Sequence, residues 1–331
     1  MLDLAKIVAK MAGTISPRID SSENVVEAIK TSLEDQEERS YVSRRFSPGG
    51  YVCARFKAGQ RLTDFKIQMA PNEMKSLLLF KAGTGAHDIL QNSVLPQTGR
   101  LFGNWRCAYC HKLVKHQTIP KMICSRECSV ELKKAKVDAM WKYEELYFKE
   151  SPLDDDLYEV SGFLDGIWLL EDGKWATLEG KTCDDLAFRG LRQVKSKEVE
   201  GGFVLKPTDS ILPRHNHVNQ GLVYCTLAKK AAERGELPLD PAKCIGTIIL
   251  YINRNDFQPK EFSVAYSGHA YRELVNLAKA TKSAVDQGNA LLAPPHCSSR
   301  SSMLAKQCPM VDECFPKKVR KKKTSKKKSD E

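Results

Sequence analysis

The chain predicts an α/β fold: a central mixed sheet flanked by helices, with a small cysteine-bearing insertion. Three observations predict it. Residues 159–182 form two short apolar/polar runs joined by Asp172-Gly173, a pattern that reads as a hairpin. The apolar run Ile248–Ile252 suits a buried strand and is far too short to span a membrane. Segments 215–234 and 269–287 read as helices, and helices interleaved with strands pack on the faces of a sheet.

The elements follow in order. Residues 1–45 suggest two helices, because Asp20-Ser-Ser-Glu23 offers capping chemistry before Val25, Val26, Ile29 and Leu33, which share one helical face. From Ser47 a helix is expected to carry Cys53 and basic residues. Residues 73–92 read as helical, and Gly83-Thr-Gly85 looks like a glycine-rich entry that places His87 near a helix start. The insertion covers 101–135 and is expected to run into a helix ending near Lys149. The hairpin comes next, then a basic, glycine-containing segment at 186–210. Helix 215–234, strands 244–253 and 261–267, and helix 269–287 complete the layer. The tail 317–331 holds nine Lys/Arg against two acids and no apolar periodicity, a composition that stays disordered. The expected division is therefore an N-terminal helical segment (1–45), a main domain (46–316) containing the insertion (101–135), and a basic tail (317–331).

Composition narrows the class. With 331 residues and 42% hydrophobic content, the chain can build one substantial core plus an insertion. Of the net charge of +11, the tail carries +7 and leaves +4 for the rest. The tail reads as a salt-sensitive tether to phosphates or as a solubilising end. No charged start followed by an apolar core marks secretion. No Gly-x-x-x-x-Gly-Lys-[Ser/Thr] loop is present, so the chain is not itself an ATP-driven helicase. The eleven cysteines are then expected in a reducing compartment, where clusters read as metal ligands rather than disulfides.

Alternation along the second hairpin strand puts Trp175, Thr177, Glu179 and Lys181 on one face and Ala176, Leu178 and Gly180 on the other. With Asp165 on the neighbouring strand, two carboxylates can hold a hard divalent cation beside a proton-handling lysine, an arrangement for cutting phosphodiesters. A plain amphipathic hairpin with a surface ion pair is the alternative. Gln220 and Tyr224, four apart, share a helical face. Cys107, Cys110, Cys124 and Cys128 form Cys-x2-Cys and Cys-x3-Cys pairs thirteen residues apart, a spacing that suits tetrahedral zinc. This resembles a treble-clef finger, either a structural staple or, with Arg106, Lys112, Lys115, His116, Lys121 and Arg126, a DNA contact. A second group, Cys297, Cys308 and Cys314, lies near the end of the folded part. Cys183, Cys225 and Cys244 read as buried thiols.

In this order the residues resemble the PD-(D/E)XK nuclease superfamily, in particular its RecB-type branch of viral exonucleases and iron–sulfur CRISPR-associated nucleases, over roughly Phe46 to Phe315. The resemblance implies a restriction-endonuclease-like core. It implies that His87, Asp165, Glu179 and the Gly180 carbonyl ligate Mg²⁺ or Mn²⁺, and that Lys181 orients the attacking water. Gln220 and Tyr224 would position the DNA backbone and the lysine. Leu164, not proline, precedes Asp165. The resemblance also implies that Cys53 joins Cys297, Cys308 and Cys314 around an iron–sulfur cluster. Ten residues separate Cys297 from Cys308 where the family has two, and a second zinc or reduced thiols stay open. The implied activity is a deoxyribonuclease, an exonuclease acting at DNA ends in recombination, replication or repair, yielding 5′-phosphate and 3′-hydroxyl. An endonuclease and a non-catalytic DNA-binding scaffold are the alternatives. An RNA-processing role is disfavoured, because no RNA-binding module signature is present. A helicase, an annealing protein or a single-strand-binding protein would be partners. The expected location is the cytoplasm of a bacterium or a virus-infected host cell, without secretion or membrane association.

Overall fold

The computed structural model describes residues 45–48, 53–64, 66, 74–137, 139–190 and 214–316. The expected helices of 1–45, most of the basic segment 186–210 and the tail 317–331 lie outside these residues. By internal contacts the chain divides into two units, 1–41 with 71–77 and 42–70 with 78–331. The described residues belong to the second unit, apart from Met74–Leu77 at the start of one helix.

The described elements are α1 (Ala54–Leu62), α2 (Met74–Ile89), β1 (Leu101–Cys107), β2 (Leu113–Gln117), α3 (Arg126–Lys134), β3 (Trp141–Glu144) and β4 (Leu146–Glu150). Then come β5 (Val160–Leu164), β6 (Gly166–Leu169), β7 (Trp175–Cys183), α4 (Asp185–Gly190), α5 (Arg214–Glu233), β8 (Cys244–Asn253), β9 (Pro259–Ala265) and α6 (His269–Asp286). Two short helices, α7 (Met303–Gln307) and α8 (Val311–Cys314), follow. The fold is α/β, and the described strands make a mixed sheet in the order β2-β1-β6-β7-β8-β9, with β3 also on β1. Among the described strands, β7 and β8 are the pair that runs parallel; the crossover between them contains α4 and α5, as a parallel pair requires.

Alternation on β7 sorts its residues between two cores. Trp175 packs with Leu222, Val223 and Leu227 of α5 and Leu274 and Ala278 of α6. Ala176 and Leu178 pack on the opposite side with Leu101, Trp105, Trp141 and Ile248. The β6–β7 connection turns at Asp172 (φ 60°) and Gly173 (φ 69°), two consecutive left-handed residues, as a tight hairpin turn needs.

The structure corrects four expectations. The segment after the finger is not a helix to Lys149 but strands β3 and β4, because Trp141, Tyr143, Leu146 and Phe148 each bury on a sheet face. Cys53 does not sit inside a helix; it is the N-cap residue of α1. Gly83-Thr-Gly85 is not a helix entry. It lies within α2, and His87 falls in that helix's last turn. Finally, the first strand of the hairpin is broken at Asp165: β5 pairs with β4 in a separate two-stranded sheet, and β6 pairs with β7 in the large one.

Candidate functional site

The break at Asp165 is where the predicted site residues gather. The Asp165 carboxylate accepts the Gly180 N–H at 2.7 Å through Oδ2, and its Oδ1 lies 3.6 Å from His87 Nδ1. Its backbone carbonyl accepts from Gln91 Nε2 at 3.0 Å. Gln91 belongs to a single π-turn, Leu90–Val94, that continues α2; such turns widen a helix locally and recur at functional sites. The next residue, Asn92, accepts the Tyr143 N–H at 2.6 Å and docks the turn on β3. A side chain at Gly180 would bring a Cβ within 3.3 Å of His87 Cε1 and 3.4 Å of Asp165 Oδ2. The glycine therefore lets the helix and the aspartate close onto β7.

Glu179 is the most buried charged group here, at 2% exposure. One carboxylate oxygen pairs with Lys181 Nζ, and the other, Oε2, is buried without a hydrogen-bond partner. Burial pushes its carboxyl up to about 8, with the Asp165 charge adding and Lys181 opposing. His87 is shifted up, chiefly by its hydrogen bond to Asp165.

Helix α5 supplies the next layer. Gln220 hydrogen-bonds Tyr224, whose hydroxyl is shifted up by burial and then by the charges of Glu179 and Asp165. A Cβ at Gly162 would come within 2.6 Å of the Tyr224 hydroxyl, so the glycine lets that hydroxyl approach β5. His217, about one turn before Gln220 on α5, bonds Tyr251 Oη at 2.7 Å. Burial, then the Lys181 charge, draws His217 down to about 4. Sequence reasoning missed Gln91, Asn92 and Glu145. Glu145 is half-buried and lies beside Gln91 and Asp165; burial first, then the Asp165 charge, raises its carboxyl.

The structure brings Cys107, Cys110, Cys124 and Cys128 together, with every thiol sulfur within 4.8 Å of the others. Among the described residues this is the group of ligand-bearing side chains that closes to single-ion spacing; His87, Asp165 and Glu179 do not. Cys110 and Cys124 come to 3.5 Å. The Ser125 hydroxyl caps α3 by accepting the Cys128 N–H at 3.1 Å, which fixes the second pair at a helix N-terminus. The Lys112 N–H stabilises the Cys110 thiolate and lowers its pKa to about 7. The cluster is therefore able to hold a metal ion. The finger is not a coreless appendage: Leu101 and Phe102 pair with β6, and Trp105, Cys107, Cys128 and Trp141 share one core with β7. At its tip Tyr109, Met122 and Ile123 are exposed, Met122 at 81%, beside exposed Lys112, Lys121 and Arg126.

The second group also meets. Cys53, Cys297, Cys308 and Cys314 line one cavity with His296, and the His296 N–H reaches Cys53 Sγ at 3.4 Å. These sulfurs do not close to the spacing of the finger cysteines. No disulfide joins any of the eleven cysteines. Cys225 and Cys244 lie 3.3 Å apart as thiols between α5 and β8. Among the described residues, no helix is long and apolar enough to cross a membrane.

No family model matches the sequence, and no curated protein matches it. The solved structure of SSO0001 is similar at 14% identity and a TM-score of 0.38, over 87% of this chain and 98% of that one. A likeness of that extent carries no argument about what the chain does.

Proposed function

We propose that the chain is a divalent-metal-dependent deoxyribonuclease with a restriction-endonuclease-like core, and that it acts at DNA ends. The observation that carries this reading is Glu179: a nearly inaccessible carboxylate with one oxygen on Lys181 and the other unsatisfied. An orphaned buried carboxylate oxygen costs several kcal/mol, on the order of 1–3 or more, and a hard cation removes that cost. Asp165 and His87 stand beside it, so Mg²⁺ or Mn²⁺ would be held by His87, Asp165, Glu179 and the Gly180 carbonyl. A bound cation supplies Lewis acidity at a scissile phosphate.

The chain's own groups do the rest. Lys181, anchored by Glu179, orients a water for in-line attack and handles its proton. Tyr224, held by Gln220, places a polar hydroxyl near the same carboxylates, where it positions the DNA backbone. The products would be a 5′-phosphate and a 3′-hydroxyl. Recombination, replication and repair are the processes that supply such ends, and a helicase, an annealing protein or a single-strand-binding protein would be the partners that expose them.

In the same reading the finger cysteines hold zinc. A tetrahedral ion with Zn–S bonds of about 2.3 Å sets sulfurs roughly 3.8 Å apart, in keeping with the close sulfurs of the finger. The wider ring of Cys53, Cys297, Cys308 and Cys314 suits an iron–sulfur cluster, which spans more than one ion. The finger tip and the basic tail bind phosphates and unpaired bases.

The test is digestion of end-labelled linear and closed-circular DNA by anaerobically purified protein, with Mg²⁺ and Mn²⁺ tried separately and Glu179→Ala in parallel. Cleavage of linear DNA alone, absent in the variant, supports the exonuclease. Cutting of closed circles moves the assignment to an endonuclease on the same core. DNA binding by metal-loaded protein without cleavage brings forward the scaffold.

A further inference from the structure

We propose that Glu145 is a further ligand of the divalent cation at Asp165, an inference that rests on the metal-dependent reading above and extends its ligand set. Leu146 of β4 pairs with Leu164 of β5 in an antiparallel ladder. The preceding residue on one side is Glu145, and the following residue on the other is Asp165, so the two acids flank the end of the ladder.

Both are single residues between strands of different sheets. Glu145 separates β3, which belongs to the large sheet, from β4, which belongs to the small one; Asp165 separates β5 of the small sheet from β6 of the large one. The two sheets thus fork at this pair. The ladder ends at the Leu146–Leu164 pair, and just beyond it the Glu145 side chain lies beside both Asp165 and Gln91.

Two carboxylates this close repel when both are ionised, and a divalent cation between them turns that repulsion into coordination. Two further buried atoms point to a ligand at the same place. Glu179 Oε2 is buried and unsatisfied, and so is Tyr143 Oη. Tyr143 is on β3, two residues before Glu145, with 8% exposure. Its hydroxyl lies against Gly166, the residue after Asp165, 3.3 Å from where a Cβ would be. It is a donor without an acceptor, close to the carboxylates of Asp165 and Glu145. A coordinated water or a phosphate oxygen would accept from it.

The experiment is Mn²⁺ titration of the full chain, with free Mn²⁺ read by electron paramagnetic resonance, on wild type, Glu145→Gln and Glu145→Asp. Circular dichroism checks the fold of each. Glu145→Gln is expected to weaken Mn²⁺ binding about tenfold or more or to lower the bound stoichiometry, and Glu145→Asp to recover part of the loss. Wild-type affinity and stoichiometry in a folded Glu145→Gln protein would overturn the inference while leaving the nuclease reading intact. Wild type that binds no Mn²⁺ would overturn both. If Glu145→Gln does not fold, Glu145→Asp decides: a carboxylate withdrawn by one methylene must shift the affinity severalfold, and an unchanged affinity counts against Glu145 as a ligand.

Discussion

The four finger cysteines span residues 107–128, whereas the groups gathered around Asp165 come from positions 87 to 224. The finger is assembled by local geometry: two short Cys pairs, one hairpin and a capped helix start bring the sulfurs together. The acidic site needs a helix end, a π-turn, the fork between two sheets, an inner strand and a second helix. Every finger sulfur has sulfur neighbours, and the acidic site keeps an unsatisfied carboxylate oxygen and an unsatisfied tyrosine hydroxyl. A closed thiol site suits structure and an open, polar site suits chemistry. The two are joined mechanically, because β1 carries Cys107 at one end and pairs with β6 of the β6–β7 hairpin at the other.

Replacing a finger ligand gives the largest expected effect. Cys107→Ser should lose the finger metal and lower the melting temperature sharply, since structural zinc supplies on the order of 10 kcal/mol to small fingers. Metal analysis and thermal melts check it. If cleavage survives that loss, the finger and the acidic site are independent, and the mechanical link through β1 is not needed.

Glu179→Ala should reverse the pattern, with cleavage down about 10²–10³-fold and the finger metal retained, as read by turnover and metal content on one preparation. A variant that loses both would mean that Glu179 serves folding rather than chemistry.

His217 gives a pH test of the second helix. Its folded pKa, about 4, lies below the ordinary 6.5, so the unfolded chain takes up a proton first as the medium acidifies. The stability from neutral His217 is complete above pH 6.5 and is lost as pH falls from 6.5 toward 4. The loss is up to about 3 kcal/mol at ~1.4 kcal/mol per unit. His217→Gln should flatten the denaturation profile in that window and leave it unchanged at pH 8.

The smallest effect concerns the finger tip. Tyr109→Ala or Lys121→Ala should weaken single-stranded DNA binding by about 1 kcal/mol, near fivefold, with Lys121→Ala also reducing the salt slope. Fluorescence anisotropy at two salt concentrations separates the two contributions.

Local signals were legible in the sequence. The β7 alternation, the Asp172-Gly173 turn, the strand 244–253 and the cysteine pairs all appear where residue pattern alone places them. Non-local ones were not. Trp141 and Tyr143 alternate in one phase, Leu146 and Phe148 in the other, and the slip falls at Glu144-Glu145. That slip marks the fork where the chain changes sheets. The same slip disguised two strands as a helix and hid Glu145. The position of His87 was misjudged for a related reason: glycines at 83 and 85 break helices by intrinsic preference, yet Gly83 sits against Thr182 on β7, whose Oγ1 would be 3.1 Å from a Cβ there. Packing against the strand, invisible in the sequence, keeps that helix running.

The central claim is that Lys181, held by Glu179 beside Asp165, serves phosphodiester cleavage. Its most direct test is the single-turnover rate on linear DNA with Mn²⁺ for wild type and Lys181→Ala. The account predicts cleavage by wild type and a loss of about 10²–10⁴-fold in the variant, with DNA binding retained. Equal rates for the two proteins, or no cleavage by folded, metal-loaded wild type, would contradict it.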